Sequence, residues 1–312
     1  MITLAFRLAV MAGLLSITAS ASAMGTAPTV ASITTPICAD SPNIDQRFGV
    51  VVADTVGTDM SSVLNSLCVR TYYKYGWGEP LPGFERIQMV GRTNISEVGL
   101  DAFIRSHLGS YWMVGNEPNV PNQDNLSPAA YAQLFHNWAV RIKGLDPTAK
   151  ILNAGIGNFP DVVGVPGGGL AYIRDFRESH RILFGTYPSV DVWNIHAYPP
   201  FFVADGRLQS FCDTSFPKLH ISEVARYLRA SGEMQPIWLT EFGMDWGNDQ
   251  DPCVVTFMTD MVGWLATTGL VNRWYWFSLN GQSWGFGGNL VDLAGTPTIL
   301  GQTYRGLAAM QR

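Results

Sequence analysis

The pattern that decides the fold is Ser110-Tyr-Trp-Met-Val-Gly-Asn-Glu-Pro-Asn119, and it recurs as Pro236-Ile-Trp-Leu-Thr-Glu-Phe-Gly243. Each stretch is a short apolar run with the composition of a buried β-strand, and each leads into a glutamate, Glu117 or Glu241. A carboxylate at the end of a buried strand costs desolvation free energy unless it is paired or used in chemistry. The two stretches therefore predict strands that deliver two acidic groups to shared chemistry.

Six further runs have the composition of strands, and helix-like segments separate most of the eight. This alternation predicts a parallel α/β fold, and eight strands are the number in a closed (β/α)8 TIM barrel. Such a barrel commonly takes about 250 residues, so we expect a single domain. The predicted strands are residues 47–53, 68–73, 86–91, 111–116, 150–154, 190–198, 237–240 and 271–277.

Several helix boundaries are also predicted. Ser127-Pro128 and Thr296-Pro297 each combine an N-cap residue with a first-turn proline, and Gly269 is placed where a helix ends. Between the second and third strands, Glu79-Pro-Leu-Pro-Gly83 leaves no room for a helix. One crossover of the barrel is therefore expected to lack its helix.

The amino terminus has the features of a secretory signal peptide. Arg7 precedes the apolar run Leu8-Ala-Val-Met-Ala-Gly-Leu-Leu15, and Ala21-Ser-Ala23 fits a signal-peptidase site. The apolar run is too short for a membrane anchor, which needs about 20 residues. We therefore expect residues 1–23 to be a signal peptide, residues 24–312 to be the barrel domain, and the mature protein to be secreted, either extracellular or periplasmic.

The composition argues against several classes of partner. Hydrophobic residues make up 47% of the chain and charged residues 14%, which predicts a large core rather than disorder. The formal net charge is −5 and no basic run is present, which argues against nucleic acid and anionic membranes. The five histidines show no H-E-x-x-H or H-x-H spacing and the cysteines no C-x-x-C pair. We expect a monomer without a metal or other cofactor.

The four cysteines predict disulfide bonds in an exported chain, with three connectivities open. Cys38 precedes the first predicted strand and Cys68 begins the second, so both belong to the same end of the barrel. Cys212 and Cys253 follow the sixth and seventh strands, at the other end. This placement favours the pairs Cys38–Cys68 and Cys212–Cys253.

Parallel barrels place functional residues at the carboxyl ends of their strands. His196 and Tyr198 are two residues apart on the sixth strand, so both point to the same side of it. Two carboxyl groups facing one gap are what glycosidic-bond cleavage needs, because one protonates the leaving oxygen and the other stabilises or traps the sugar cation. The residues selected in this way are Asn116, Glu117, His196, Tyr198, Glu241 and Trp276.

In order and strand position, these motifs resemble the clan A glycoside hydrolases, which are retaining enzymes on a (β/α)8 barrel. The resemblance implies that Glu117 is the acid/base and Glu241 the nucleophile. It also implies that Asn116 contacts the sugar 2-hydroxyl and that His196 and Tyr198 bind sugar and orient the nucleophile. The motifs that carry the resemblance are Asn116-Glu117-Pro118, His196-Ala-Tyr198, Thr240-Glu241-Phe242-Gly243 and Trp276.

The second strand extends the resemblance. Arg70 occupies the place of an arginine found near the nucleophile in several families of the clan. The stretch Arg70-Thr-Tyr-Tyr-Lys-Tyr-Gly-Trp77 and the short link after it are similar to the Asl1-like family, glycoside hydrolase family 128, which acts on β-1,3-glucans. The chain departs from the pattern at Asn119, where an aspartate is more frequent, and at Arg92, near the place of a histidine in some clan families.

The sequence thus predicts a secreted retaining endo-β-glycosidase that hydrolyses a polysaccharide, with β-1,3-glucan preferred. The alternatives are a non-catalytic carbohydrate-binding barrel and the same chemistry on β-1,4-mannan or β-1,4-glucan. A retaining pair predicts carboxyl groups about 5 to 5.5 Å apart, against about 6.5 to 9.5 Å for an inverting pair. Flat faces for sugar rings are expected from Trp276, Trp246 and Trp284.

Overall fold

The computed structural model describes Cys38 and residues 45–57, 59–158, 168–204, 207–244 and 252–310. The predicted signal peptide and Trp246 lie outside the described residues. All described residues belong to one unit, which spans Pro36–Arg312.

Ten strands are present among the described residues, and eight of them correspond to the eight predicted strands. These eight are β1 (Phe48–Val51), β2 (Thr71–Tyr73), β3 (Glu85–Val90), β4 (Tyr111–Asn116), β5 (Lys150–Gly155), β6 (Trp193–Ala197), β9 (Ile237–Phe242) and β10 (Arg273–Trp276). The other two, β7 (Phe201–Ala204) and β8 (Arg207–Ser210), pair antiparallel as a hairpin after β6. The sequence interpretation did not include this hairpin.

The eight strands form one parallel sheet that curves into a barrel. Their order is β5-β4-β3-β2-β1-β10-β9-β6. Two isolated parallel bridges, Leu152–Val192 and Ile156–Ile195, join β5 to the β6 region. The predicted (β/α)8 fold is therefore confirmed, and the carboxyl ends of the strands meet at one face.

Seven α-helices among the described residues surround the barrel, and none of them is long and apolar enough to cross a membrane. Residues 74–84, between β2 and β3, contain no helix, which confirms the predicted degenerate crossover. The helices are α1 (Met60–Ser66), α2 (Leu100–Ser106), α3 (Pro128–Leu145), α4 (Gly169–Phe184), α5 (Ser215–Ala230), α6 (Pro252–Thr268) and α7 (Ile299–Met310).

The predicted helix boundaries hold in two of three cases. Ser127 caps α3 by accepting from the Ala130 N–H at 3.2 Å, and Gly269 follows α6 with φ +67°. The third prediction is wrong by two residues, because Thr298 caps α7 instead of Thr296. Its Oγ1 accepts from the Gly301 N–H at 3.1 Å.

Both predicted disulfide pairs are confirmed, as Cys38–Cys68 and Cys212–Cys253. The first joins the segment before β1 to the residues before β2. The second joins the segment after the β7–β8 hairpin to the second residue of α6. It therefore links the connections that follow β6 and β9.

The core has two layers that follow the alternation of side chains along the strands. The larger layer lies between the strands and the helices. The smaller one lies in the barrel interior, and its apolar and aromatic members are Val51, Tyr73, Ile87, Met89, Met113, Leu152, Val192, Tyr198, Trp238, Tyr275 and Phe277. The interior layer supports the site at the carboxyl ends of the strands from below.

Candidate active site

The structure brings Glu117 and Glu241 together, as their strand positions predicted. Glu117 follows the last residue of β4 and Glu241 lies in β9, and both side chains are buried. One carboxyl oxygen of each glutamate and one ring nitrogen of His196 all lie within 4.8 Å of one another. Two carboxyl groups therefore face each other across a gap of a few ångströms.

Three tyrosine hydroxyls hold Glu241. Tyr198 donates to Oε2 at 2.7 Å and Tyr75 donates to Oε1 at 2.9 Å, and Tyr73 also donates to Oε1. Burial and the negative charge of Glu241 raise the pKa of Tyr73 and of Tyr75 well above the usual value, so both hydroxyls keep their protons. Three donors on one carboxyl group suit a carboxylate, which only accepts, and they fix both of its oxygens.

His196 lies between the two glutamates. Its Nδ1 is 2.9 Å from Glu117 Oε1 and 3.4 Å from Glu241 Oε2. Its Nε2 is 3.1 Å from Oγ1 of Thr240, whose own hydroxyl donates to Asn194 Oδ1 at 2.7 Å. Because the Thr240 proton is directed to Asn194, Thr240 Oγ1 accepts from His196, and both ring nitrogens act as donors. The imidazole is thus arranged as a cation.

The pKa values agree with that arrangement. Burial alone would lower the pKa of His196, but the charge of Glu241 and the hydrogen bond to Glu117 outweigh it and raise the pKa. Burial raises the pKa of Glu117, and the charge of Glu241 adds to this, while His196 opposes it. Glu117 is therefore a carboxyl group whose protonated form is favoured by its surroundings.

Glu117 sits in a backbone conformation that side chains other than glycine seldom adopt, with φ +44°. Such a conformation costs about 1 to 3 kcal/mol and persists only where surrounding contacts enforce it. The Glu117 N–H donates to Gly155 O at 2.9 Å, which ties the turn to the end of β5. In this backbone conformation the Glu117 side chain points toward His196 and Glu241.

Two glycines, the last residue of β5 and the residue two positions after it, leave room for the site. A Cβ at Gly155 would lie 1.9 Å from His196 Nε2, and one at Gly157 would lie 3.2 Å from Glu117 Oε1. Asn119 pins the backbone of Gly157, donating to its carbonyl at 2.7 Å and accepting from its N–H at 3.1 Å. An aspartate at position 119 could only accept, so the asparagine fits this two-way contact.

Glu117, His196 and Glu241 are also the one group of three metal-ligating side chains found in the described part of the chain. A metal ion needs an unprotonated ring nitrogen. Here His196 donates from both nitrogens, and three tyrosines already donate to Glu241. The chemistry of this group suits proton transfer and anion stabilisation rather than metal binding.

Asn116 and Trp284 are placed beside these groups. Asn116 is buried, and its Oδ1 has no hydrogen-bond partner among the described residues, which leaves this acceptor unsatisfied. Trp284 is 50% exposed on the loop after β10, and its ring lies 5.4 Å from that of Tyr75. Because Tyr75 donates to Glu241, an exposed aromatic face adjoins the carboxyl pair.

Trp276 is not in the site, which corrects the sequence interpretation. It is fully buried between the barrel and the helices, where its ring packs 5.2 Å from Phe242 and 6.5 Å from Phe257 of α6. Its Nε1 donates to Gly288 O at 2.8 Å. The flanking residues Tyr275 and Phe277 face the barrel interior, so Trp276 faces outward.

Arg70 is also misplaced by the sequence interpretation. It lies just before β2, its Nη1 donates to Asn65 Oδ1, and its guanidinium lies 5.3 Å from the Phe84 ring. Tyr73 faces the barrel interior, so by alternation Arg70 points to the opposite side of the strand. The residues of this segment that reach Glu241 are Tyr73 and Tyr75, which the sequence interpretation did not select. Tyr73 and Tyr75 are two residues apart, and this spacing could have indicated that both side chains point to the same side of the segment.

Residues 53–304 match the model of a family described as the glycosyl hydrolase catalytic core. No curated protein matches the chain.

Several solved structures share the barrel fold. One is a GH128 subgroup II endo-β-1,3-glucanase from Pseudomonas viridiflava, with TM-score 0.62 and 23% identity, covering 83% of this chain and 96% of that chain. A GH128 subgroup I endo-β-1,3-glucanase from Amycolatopsis mediterranei, in complex with laminaritriose, has TM-score 0.60 and 20% identity. The match covers 84% of this chain and 99% of that chain. A GH128 subgroup III curdlan-specific exo-β-1,3-glucanase from Blastomyces gilchristii, in complex with glucose, has TM-score 0.59 and 20% identity. The match covers 83% of this chain and 97% of that chain.

Proposed function

The chain belongs to the glycosyl hydrolase catalytic core family, and on that premise we propose that it is a secreted retaining endo-β-1,3-glucanase with Glu117 as acid/base and Glu241 as nucleophile. It is a glycoside hydrolase, as its motifs predicted. The stereochemistry, the roles of the two glutamates, the substrate and the secretion are the parts that we propose.

The observation that carries the proposal is the pair of carboxyl groups with opposite surroundings. An oxygen of Glu117 lies within 4.8 Å of an oxygen of Glu241, which is on the short, retaining side of the range for glycosidases. Burial favours the protonated form of Glu117, whereas Glu241 receives three tyrosine hydroxyl hydrogen bonds. One carboxyl is thus suited to give a proton and the other to act as an anion.

In the first step, Glu241 attacks the anomeric carbon of the sugar while the glycosidic bond breaks. Glu117 gives its proton to the leaving oxygen, so the departing chain leaves as a neutral alcohol and a covalent glycosyl ester forms on Glu241. His196 stays charged and hydrogen-bonded to Glu117, and it compensates the negative charge that Glu117 gains. Asn116 Oδ1 accepts from the sugar 2-hydroxyl, a contact that strengthens in the transition state.

In the second step, the ionised Glu117 acts as base. It removes a proton from a water molecule, whose oxygen attacks the anomeric carbon and displaces Glu241. The released sugar keeps the β configuration, and both glutamates return to their starting states. Tyr73, Tyr75 and Tyr198 stabilise Glu241 as a leaving carboxylate.

The choice of β-1,3-glucan rests on similarity of fold and on the motif resemblance. The neighbouring structures are described as β-1,3-glucanases, and one was crystallised with laminaritriose. Their descriptions include both endo and exo enzymes. We choose endo action because the exposed face of Trp284 extends the site beyond the carboxyl pair, as binding of consecutive sugar rings requires. The two disulfides support an oxidising compartment and hence secretion.

The test is hydrolysis of laminarin, with glucomannan and carboxymethylcellulose for comparison, and with Glu241→Ala as the inactive control. We expect a ladder of oligosaccharides at early times from laminarin. NMR of the first product should show the β anomer. An α anomer would contradict the retaining assignment, glucose alone at early times would contradict endo action, and activity on mannan alone would contradict the β-1,3-glucan assignment.

A further inference from the structure

Asp124, in the loop after β4, is a buried acid outside the catalytic pair. Its side chain is 8% exposed. Its Oδ2 accepts from the backbone N–H of Asn116 at 2.6 Å, and its Oδ1 accepts from Arg92 Nε at 3.0 Å. A buried carboxylate costs desolvation free energy unless it is paired, and here both partners belong to the rim of the site.

Arg92 extends this contact to a neighbouring residue of the same loop. Its Nη2 donates to Gln123 Oε1 at 3.2 Å, and the same oxygen accepts from Asn116 Nδ2 at 3.4 Å. Both the backbone and the side chain of Asn116 are therefore held by residues that Arg92 binds. The ion pair fixes the residue that directly precedes Glu117.

Arg92 also faces the other half of the site. Its guanidinium carbon lies 5.7 Å from the centre of the Tyr75 ring, within the range of a cation–π contact. Tyr75 donates to Glu241. Arg92 thus contacts the loop that carries one glutamate and a tyrosine that holds the other.

The strained backbone turn at Glu117 needs stabilising contacts from residues outside the turn. Gly115 has φ +84° and Glu117 has φ +44°, so the backbone leaves the extended conformation twice within three residues. Asp124 lies directly against this turn, since a Cβ at Gly115 would be 2.9 Å from its Oδ2. The carboxylate is therefore part of what keeps the strained turn in one conformation.

We propose that Arg92 and Asp124 are a positioning pair that sets the direction of Glu117 without touching the substrate. This inference rests on the proposed function, in which Glu117 protonates the leaving oxygen. A displacement of about 1 Å at a reacting group can cost roughly 10²-fold in rate. The pair therefore acts on proton transfer rather than on substrate affinity.

The test is Asp124→Asn, which keeps the size of the side chain and removes its charge. On laminarin, kcat should fall roughly 10²-fold with KM nearly unchanged. An aryl β-glycoside with a good leaving group needs no proton in the first step, so that step should keep most of its wild-type rate. Across aryl glycosides, the rate should depend more steeply on leaving-group pKa than in the wild type.

The chain offers a matched control in Arg141, on α3. Arg141 likewise binds two side-chain acceptors, here the carboxylates of Asp101 and Glu97, and its guanidinium carbon lies 4.8 Å from the centre of a Trp138 ring, but this group is on the surface. Asp101→Asn removes the same charge from a comparable ion pair. We expect it to leave the ratio of laminarin to aryl-glycoside activity unchanged.

A second variant pair keeps the test decisive if Asp124→Asn fails to fold. Arg92→Lys retains the charge beside Asp124 but lacks the planar guanidinium that binds Asp124 and Gln123 through two nitrogens, whereas Arg92→Gln removes the charge. The leaving-group dependence should be steepest in Arg92→Gln and intermediate in Arg92→Lys. Equal loss on both substrate classes, or the same behaviour in Asp101→Asn, would overturn the inference.

Glu117→Ala separates this inference from the proposed function. If Glu117→Ala lacks the leaving-group signature, the assigned role of Glu117 is wrong and the proposed mechanism fails. If Glu117→Ala shows the signature and both Asp124→Asn and Arg92→Gln do not, the mechanism stands and the positioning pair is rejected.

Discussion

Glu117 and Glu241 have the same side chain and are assigned different roles because of their surroundings. Glu241 accepts three tyrosine hydroxyl hydrogen bonds, whereas Glu117 accepts from His196 and is otherwise surrounded by buried groups. Burial raises the pKa of Glu117. The assignment of roles can therefore be tested one residue at a time.

Glu117→Ala should lower kcat on laminarin by about 10²- to 10⁴-fold, the range for loss of a general acid. Formation of the glycosyl ester from an aryl glycoside with a good leaving group should be largely spared, because that leaving group departs without a proton. Glu241→Ala should abolish turnover of both substrates. Pre-steady-state release of the aryl group measures the first step, and equal losses in the two variants would contradict the roles.

His196→Asn should move the alkaline limb of the kcat/KM profile to higher pH. In the proposed mechanism, the first step requires protonated Glu117, so activity should fall as pH rises through the pKa of Glu117. The hydrogen bond and the charge of His196 lower that pKa against the larger effect of burial, so removing His196 raises it further. The profile is measured from pH 4 to 9 in wild type and variant, and a shift to lower pH would contradict the arrangement of charges.

At the scale of elements, the strands were predictable because apolar runs and intervening helices repeat along the chain. The hairpin β7–β8 was missed although the dipeptide Asp205-Gly206, a strong two-residue hairpin signal, separates its two runs. Its runs of four residues are too short to show a convincing period of two.

The two misplaced site residues have one physical cause, which is the alternation of side chains along a strand. Trp276 was placed by its strand and Arg70 by the family resemblance, and shifting a strand register by one residue moves every side chain to the other face. The interior positions are Tyr275 on β10 and Tyr73 on β2. Glu117, Glu241, His196 and Tyr198 were found because they end runs or share a face, which the sequence alone reveals.

The two disulfides should have different effects on function. Replacing Cys38 and Cys68 by serine should lower stability by about 2 to 5 kcal/mol and leave KM unchanged, because the pair lies before β1 and β2. Replacing Cys212 and Cys253 should lower stability by a similar amount and raise KM, because this pair links the connections that follow β6 and β9. Thermal unfolding and laminarin kinetics of the two double variants provide the comparison. An unchanged KM in the second variant would show that the bond has no effect on the cleft.

At the scale of the whole molecule, the site places two carboxyl groups and an imidazole among buried side chains. Glu117, His196 and Glu241 are all buried, above an interior layer of large apolar side chains. A fold selected for stability alone would not bury these charges, since well-packed apolar residues are commonly as stable or more so. The energetic cost of the site should therefore appear as a dependence of global stability on pH.

Glu117→Gln should raise the free energy of unfolding at neutral pH by about 0.5 to 2 kcal/mol, the usual range for a single stabilising substitution. The same substitution should impair catalysis. The folded-state pKa of Glu117 is raised above its unfolded value, so its contribution to stability is fully present below the unfolded pKa and is lost as pH rises through the folded pKa. Glutamine keeps an acceptor for His196 and has no charge to bury. The gain should therefore be largest near pH 7 and vanish near pH 4. Urea unfolding at pH 4 and pH 7 measures this gain in stability. Glu97→Gln, at an exposed position, is the control and should show no such gain. A gain that is the same at both pH values would contradict the buried-charge explanation.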